Sequence, residues 1–147
     1  MKAAGPLLKT RSRRVVARAP ARVKCEAHLN WIRHLPCVIT GAEEGVIAHH
    51  CMHGEPSATG ARSGDNWAVP MLEALHGAQF PAGLHRGGNE PRWWEARAVD
   101  PLAIARRLWA VSIVSGRCKA KASDLPAAYA LAGDWKAWIA NGYRDAL

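Results

Sequence analysis

Histidines are the residues of this 147-residue chain whose type and spacing most clearly suggest chemistry. The chain contains seven histidines, and five of them fall in one region: His49, His50, His53, His76 and His85. Imidazole nitrogens bind divalent transition metals, and an imidazole with an unperturbed pKa of about 6.5 also accepts protons near neutral pH. This region is therefore the candidate for a metal site combined with acid–base chemistry.

The adjacent pair His49–His50 can divide these two tasks. The segment 46–50 (VIAHH) predicts a β-strand, and neighbouring residues of a strand point to opposite faces. One imidazole can then bind a metal while the other stays free as a general base. Taken alone, two histidines at a strand end are more often structural or surface residues. A helix that carries His76 and packs against the strand would supply a further ligand.

The elements that must position these histidines follow from local patterns. We predict a β-hairpin formed by strands 37–40 and 46–50, followed by a polar, glycine-rich loop over residues 51–65. Pro70 suits the first turn of the next helix, and Asp100-Pro101 is a typical helix start. Helices are predicted over residues 26–34, 71–79, 90–97, 101–115, 125–131 and 134–139. The fold class is therefore α+β.

The positive charge of the chain is concentrated at its N-terminus. The formal net charge is +8, and residues 1–24 hold eight of the 20 lysines and arginines and none of the 12 acidic residues. We predict a basic, flexible arm over 1–24 and a single domain over 25–147. A polyanion such as nucleic acid is the favoured partner, and the alternatives are a solvated tail or an organellar transit peptide. The expected nucleic-acid contacts are Arg11, Arg13, Arg14, Arg18, Arg22 and Lys24.

Cysteine usage and hydropathy give expectations about the compartment. The four cysteines are Cys25, Cys37, Cys51 and Cys118, and none forms a CxxC pair. We predict free, mostly buried thiols in the reducing cytoplasm of a bacterial host cell. No apolar run is long enough to span a membrane, and neither a secretory signal nor a membrane partner is expected.

Five blocks of the sequence resemble a known class of enzymes. LPCVITG, IAHH, GDNWAVPMLEALH, LHRGGNEPRWW and DPLAIARRLW, in this order, resemble the HNH nucleases of the ββα-metal class. More narrowly, they resemble the phage recombination-enhancement nucleases and their prophage relatives, over about residues 28–113. The resemblance implies a small ββα-metal (HNH) core flanked by α-helices. It also implies a metal-dependent endonuclease that hydrolyses DNA in phage recombination or DNA processing, with DNA and a recombinase as candidate partners.

The resemblance also implies roles for individual residues. His49 and His76 would bind one divalent cation, which would be Mg²⁺, Mn²⁺ or Zn²⁺. His50 would be the general base that takes a proton from the attacking water. Either Asp65 or Asn66 would orient that base.

His85 would be a further metal ligand and Arg86 would hold a phosphate. Nine residues separate His76 from His85, and Pro81 and Gly83 lie between them. One helix cannot place both histidines on a metal at that spacing, because residues meet on a helix face at i, i+4. His85 would therefore have to approach from the loop that follows the helix.

The sequence departs from many relatives at a second metal site. Those relatives carry a structural zinc held by one ligand pair on the hairpin and a second pair at the start of the helix. Here the residue three positions after Cys37 is Thr40, and the pair at the helix is replaced by Leu72 and Leu75. A structural zinc needs four ligands, so none is expected, and a small hydrophobic cluster is predicted instead. The alternative functions are a degenerate HNH module that binds DNA without cutting it and a structural metal-binding phage protein.

Deletion of residues 1–24 should weaken DNA binding without changing sequence preference, because contacts to phosphates carry no sequence information. Each phosphate contact contributes about −0.9 to the slope of log affinity against log salt concentration. If roughly half of the arm's basic residues touch phosphate, the slope should flatten by about 3–4 units. Fluorescence anisotropy over a salt series measures this slope, and an unchanged slope would favour a targeting or docking role for the arm.

Overall fold

In the part of the chain that the structure describes, a two-stranded antiparallel sheet and six α-helices make up a mixed α+β fold. The structure is a computed structural model that describes residues 22–51, 63–77 and 83–145. Within these ranges the strands are β1 (Val46–His50) and β2 (Ala68–Leu72). The helices are α1 (Glu26–Ile32), α2 (Glu73–His76), α3 (Glu90–Glu95), α4 (Pro101–Val114), α5 (Leu125–Ala132) and α6 (Trp135–Ala140). Three short 3₁₀ turns accompany them, at Asp65–Trp67, Leu84–Arg86 and Ala122–Asp124.

The sheet differs from the predicted hairpin in the partner of β1. β1 pairs with β2, in a register that sets Val46 opposite Leu72 and His50 opposite Ala68. Residues 38–40, predicted as part of a strand, form a turn, and the Val38 N–H donates to the Pro70 carbonyl at 3.0 Å. The prediction of a strand at 37–40 is therefore wrong.

The helix predicted over 71–79 is also wrong in its start, because Met71 and Leu72 belong to β2 and α2 begins at Glu73. The physical reason is burial on both faces of β2, where Val69, Pro70 and Met71 are all buried. A short, continuous apolar run suits a buried strand better than an amphipathic helix. A proline is tolerated there because both strands of the described two-stranded sheet are edge strands.

The other predicted helices are confirmed to within two residues at each end, and α4 is the longest of the described helices. Asp100 caps α4 by accepting the N–H groups of Leu102 and Ala103, at 3.1 and 3.0 Å, and Pro101 occupies the first turn as predicted. The core that α4 shares with the sheet and the other helices includes Ile32, Val69, Met71, Leu84, Trp94 and Leu108. Among the described helices, none combines the length and apolar character that a membrane crossing requires.

A disulfide joins the start of α1 to the segment after α4. Cys25 and Cys118 are bonded, with their Cα atoms 6.0 Å apart, while Cys37 and Cys51 are free and buried. The prediction of four free thiols is therefore wrong for one pair. The two bonded cysteines lie 93 residues apart in the chain, and only the tertiary packing of α1 against the end of α4 brings them together.

Reduction of this disulfide should lower the free energy of unfolding by about 2–4 kcal/mol, because a crosslink that closes a long loop restricts the unfolded chain. Urea denaturation with and without a phosphine reductant measures the difference. A Cys118→Ala variant serves as the matched control, since its stability should not respond to the reductant. Detection of four free thiols in the denatured, unreduced protein would contradict the bond.

His28 of α1 is a buried residue of the helix packing. Its side chain is fully buried, and its Nδ1 lies 2.6 Å from the Ser112 hydroxyl of α4. Its ring also packs edge-on against Trp109, with centroids 5.0 Å apart. Burial lowers the pKa of His28 from 6.5 to about 4, so the folded protein keeps this imidazole neutral.

This shift predicts a loss of stability in acid. Between pH 6.5 and about 4 the unfolded chain binds a proton at His28 and the folded chain does not, so stability falls as the pH falls through this window. The full effect is about 3 kcal/mol. Urea denaturation at pH 7 and pH 4 should show a larger decrease for the wild type than for His28→Gln. Equal decreases in the two proteins would contradict the assignment.

Candidate functional site

The end of strand β1 places two adjacent histidines in different surroundings. His49 is 3% exposed and faces the side chains of His76 and His85. His50 is partly exposed, and its Nε2 lies 2.8 Å from Oδ1 of Asp65. The alternation of side chains along a strand separates these two environments.

Three histidines from three elements form a cluster, which we call the histidine cluster: His49, His76 and His85. His49 comes from β1, His76 from the end of α2, and His85 from the 3₁₀ turn Leu84–Arg86, which the buried Leu84 anchors in the core. One potential ligand nitrogen from each ring lies within 4.8 Å of the other two. Within the cluster His49 is buried, His76 is half-buried and His85 is exposed, so one side of the cluster is open to solvent.

The donor set of the histidine cluster fits a divalent transition metal. The Nε2 atoms of His76 and His85 lie 3.1 Å apart. Two nitrogens bound to one zinc-sized ion at about 2.1 Å are separated by roughly 3.0–3.4 Å in common geometries. Burial, together with the neighbouring His49 and His85, lowers the pKa of His76, which favours the neutral form that binds metals. Three protein ligands with one open side are typical of catalytic rather than structural zinc sites.

Asp65 is the carboxylate that contacts the candidate base, and we call these two residues the His50–Asp65 pair. Asp65 is 5% exposed and stands at the start of the 3₁₀ turn before β2. Its Oδ2 accepts the N–H of Cys25 at 2.7 Å, while its own N–H donates to the Val23 carbonyl at 2.9 Å. Burial raises the pKa of Asp65, but the hydrogen bonds from His50 and Cys25 outweigh it and hold the pKa below its usual value. The group therefore stays ionised at neutral pH.

Asn66 is the other residue predicted to orient His50, but its side-chain oxygen does not bond His50. Its Oδ1 is buried and has no hydrogen-bond partner among the described residues. A Cβ at Gly64 would lie 2.4 Å from that oxygen and 3.1 Å from the Val23 Cβ. Because position 64 is a glycine, residue 23 can approach it closely. This approach places the Cys25 N–H within hydrogen-bond distance of Asp65.

The end of the basic arm is part of this site. Arg22 Nη2 lies 3.5 Å from Oδ1 of Asp65, and residues 22–25 run alongside the 3₁₀ turn. Arg22 and Val23, which the sequence analysis assigned to the arm, thus both contact Asp65 of the domain. Lys24 and Arg86 are exposed, as phosphate-binding residues must be. The predicted contacts at Arg11, Arg13, Arg14 and Arg18, and the loop histidine His53, lie outside the described residues.

Sequence reasoning missed Glu90 on α3. Oε1 of Glu90 lies 2.7 Å from Nε2 of His49 and accepts the Trp94 indole N–H at 3.2 Å. Glu90 also forms a second group of possible ligands with His49 and Cys51. Burial raises the pKa of the Cys51 thiol far above its usual value, so the free thiol stays protonated. The i, i+4 spacing of Glu90 and Trp94 places these two side chains on one face of α3, but no local pattern in the sequence indicates the contact with His49.

Cys37, expected in a hydrophobic cluster with Leu72 and Leu75, is buried at the turn before β1. Its sulfur accepts the backbone N–H of Leu72 at 3.2 Å and that of Ile39 at 3.4 Å. Leu75 packs against the main core and Leu72 is half-buried. This thiol therefore joins the turn to the end of β2.

The chain belongs to the family DUF968, whose description is "Protein of unknown function" and whose model matches residues 16–116. The matched range contains the histidine cluster, the His50–Asp65 pair and Glu90. No curated protein matches the chain, and no solved structure does so either.

Proposed function

We propose that this protein is a metal-dependent endonuclease of the HNH type that hydrolyses DNA phosphodiester bonds in phage or prophage recombination or DNA processing. The observation that carries the proposal is the pairing of two sites at the end of β1. His49 joins a cluster with the donor set for one divalent cation, and His50 bonds a carboxylate on a different side. Metal-assisted hydrolysis of a phosphodiester combines a Lewis acid with a base that removes a proton from the attacking water.

The order of the elements supports the same proposal. β1, β2 and α2 follow one another along the chain, with the strands antiparallel and the helix directly after β2. This is the ββα order of the class that the sequence resembles. His49 and His50 end the first strand of that unit, and His76 ends its helix.

The His50–Asp65 pair is arranged for proton removal from water. With Asp65 ionised, the ring N–H at Nε2 of His50 donates to the carboxylate, which leaves the lone pair at Nδ1 to accept a proton. The His50 side chain is 23% exposed, so water can reach it. Asp65 then stabilises the imidazolium that forms when His50 takes the proton from the water that attacks phosphorus.

The histidine cluster would hold Mg²⁺, Mn²⁺ or Zn²⁺, and a bound cation would supply Lewis-acid chemistry to the phosphodiester. The three neutral nitrogens favour a transition metal over Mg²⁺, which prefers oxygen ligands. Arg22, Lys24 and Arg86 would hold neighbouring phosphates of the DNA through charge-assisted hydrogen bonds. Arg22 stands closest to the His50–Asp65 pair.

His50→Ala should reduce the rate of DNA cleavage by about 10²–10⁴-fold, because loss of a general base removes a contribution of that size. The measurement is conversion of supercoiled plasmid with Mg²⁺, Mn²⁺ or EDTA, with single-stranded DNA and RNA as further substrates. DNA affinity, measured by anisotropy in EDTA, should be unchanged. His34→Ala is the matched control, since His34 is exposed on the turn after α1 and its side chain bonds only the Asn30 carbonyl among the described residues.

Two results would contradict the proposal in different ways. Cleavage by His50→Ala at the wild-type rate would remove His50 from the role of base. Tight DNA binding by the wild type without cleavage under any metal would instead identify a degenerate module that binds and does not cut.

A further inference from the structure

We propose that Glu90 is a positioning residue for the metal site: its carboxylate holds the His49 ring through Nε2 and leaves Nδ1 of that ring to bind the cation. The inference rests on the metal site of the proposed function and assigns a role to a residue on α3, outside the ββα unit. It follows from three features of the described residues, which are the bond to His49, the position of Glu90 relative to the cluster, and the support of its carboxylate.

The bond between Glu90 and His49 is short and buried. Oε1 of Glu90 lies 2.7 Å from Nε2 of His49, and the two side chains are only 10% and 2% exposed. A carboxylate can only accept a hydrogen bond, so Nε2 of the ring must carry the proton. The lone pair of a neutral His49 is then at Nδ1. A metal-binding histidine commonly donates its other ring N–H to a carboxylate in this way, which fixes its tautomer and orientation.

Glu90 is placed beside the histidine cluster rather than within it. Among the described residues, the groups whose potential ligand atoms lie within 4.8 Å of one another are His49 with His76 and His85, and His49 with Cys51 and Glu90. The two groups share only His49. Donors on one zinc-sized ion are at most about 4.2 Å apart, so Glu90 cannot complete the set formed by all three histidines. His49 therefore stands between the carboxylate and the other two rings.

The carboxylate is itself held in place. The indole N–H of Trp94, one turn further along α3, donates to Oε1 of Glu90 at 3.2 Å, and Trp94 is 1% exposed. The Asn89 side chain accepts the N–H of Arg92 and caps the start of α3. The Trp94 ring also lies next to the His49 ring, with centroids 6.1 Å apart. The core thus fixes Trp94, Trp94 fixes Glu90, and Glu90 fixes His49.

The alternative is that Glu90 only satisfies a buried imidazole N–H and has no effect on metal binding. A buried polar group without a partner is costly, so removal of Glu90 would lower stability under either interpretation. The two interpretations differ in metal affinity and in the tautomer of His49. Both can be measured without DNA.

The test compares three variants of the metal-depleted, full-length protein. Zn²⁺ affinity is measured by competition with a chromophoric chelator, and thermal unfolding confirms that each variant is folded. Glu90→Ala should weaken Zn²⁺ binding by about 10–100-fold, the usual effect of losing such a partner. Glu90→Gln should fall between it and the wild type, because its amide oxygen still accepts from Nε2. Glu95→Gln is the matched control on the exposed side of α3 and should bind as the wild type does.

Histidine ¹⁵N chemical shifts of the metal-free protein provide a second readout. The wild type should show His49 protonated at Nε2, and this preference should be lost in Glu90→Ala. Wild-type Zn²⁺ affinity in Glu90→Ala, or an unchanged His49 tautomer, would overturn the proposal. A Co²⁺ absorption spectrum that changes coordination number in Glu90→Gln would also overturn it, because Glu90 would then be a ligand.

These measurements separate this inference from the proposed function. A protein that binds Zn²⁺ through His49 in the expected way but never cleaves DNA would refute the nuclease and leave the role of Glu90 intact. A wild type that binds no Zn²⁺ or Co²⁺ would refute the role of Glu90, while the plasmid assay with Mg²⁺, Mn²⁺ or EDTA decides separately whether the protein is a nuclease.

Discussion

The antiparallel pairing of β1 with β2 is the constraint on which the candidate site depends. His50 stands opposite Ala68, so the 3₁₀ turn that precedes β2 lies beside His50 and brings Asp65 within hydrogen-bond distance. At the other end of the sheet, Val46 stands opposite Leu72, which leads directly into α2 and His76. A shift of one residue in this register would turn His49 and His50 to the wrong faces, because side chains alternate along a strand. The buried side chains of Val69 and Met71 disfavour such a shift.

Because the polar groups of this site are buried, they need hydrogen-bond partners, and the same hydrogen bonds fix their orientation. His49 and Asp65 are almost fully enclosed, and each is bonded to a partner from another element. Paired in this way, the groups hold one orientation, and a rigid orientation is what a ligand or a base needs in order to act. The enclosed residues thereby couple the sheet to α3 and to the segment before α1.

Local sequence signals predicted the elements that depend on local physics. The sequence predicted the cap at Asp100, the proline that follows it and the later helices from their apolar spacing, and those helices are confirmed. The partner of β1 was not readable, because the run from Ala68 to Leu72 fits a buried strand and a helix equally well over so short a length. The disulfide and the bond between Glu90 and His49 join residues 93 and 41 positions apart, and no local pattern reports such contacts.

The anchoring of Cys25 connects two distant parts of the chain to one carboxylate. Cys25 is fixed twice, by its disulfide with Cys118 and by its N–H on Asp65. The covalent bond therefore links the segment after α4, through a single backbone N–H, to the carboxylate that contacts His50.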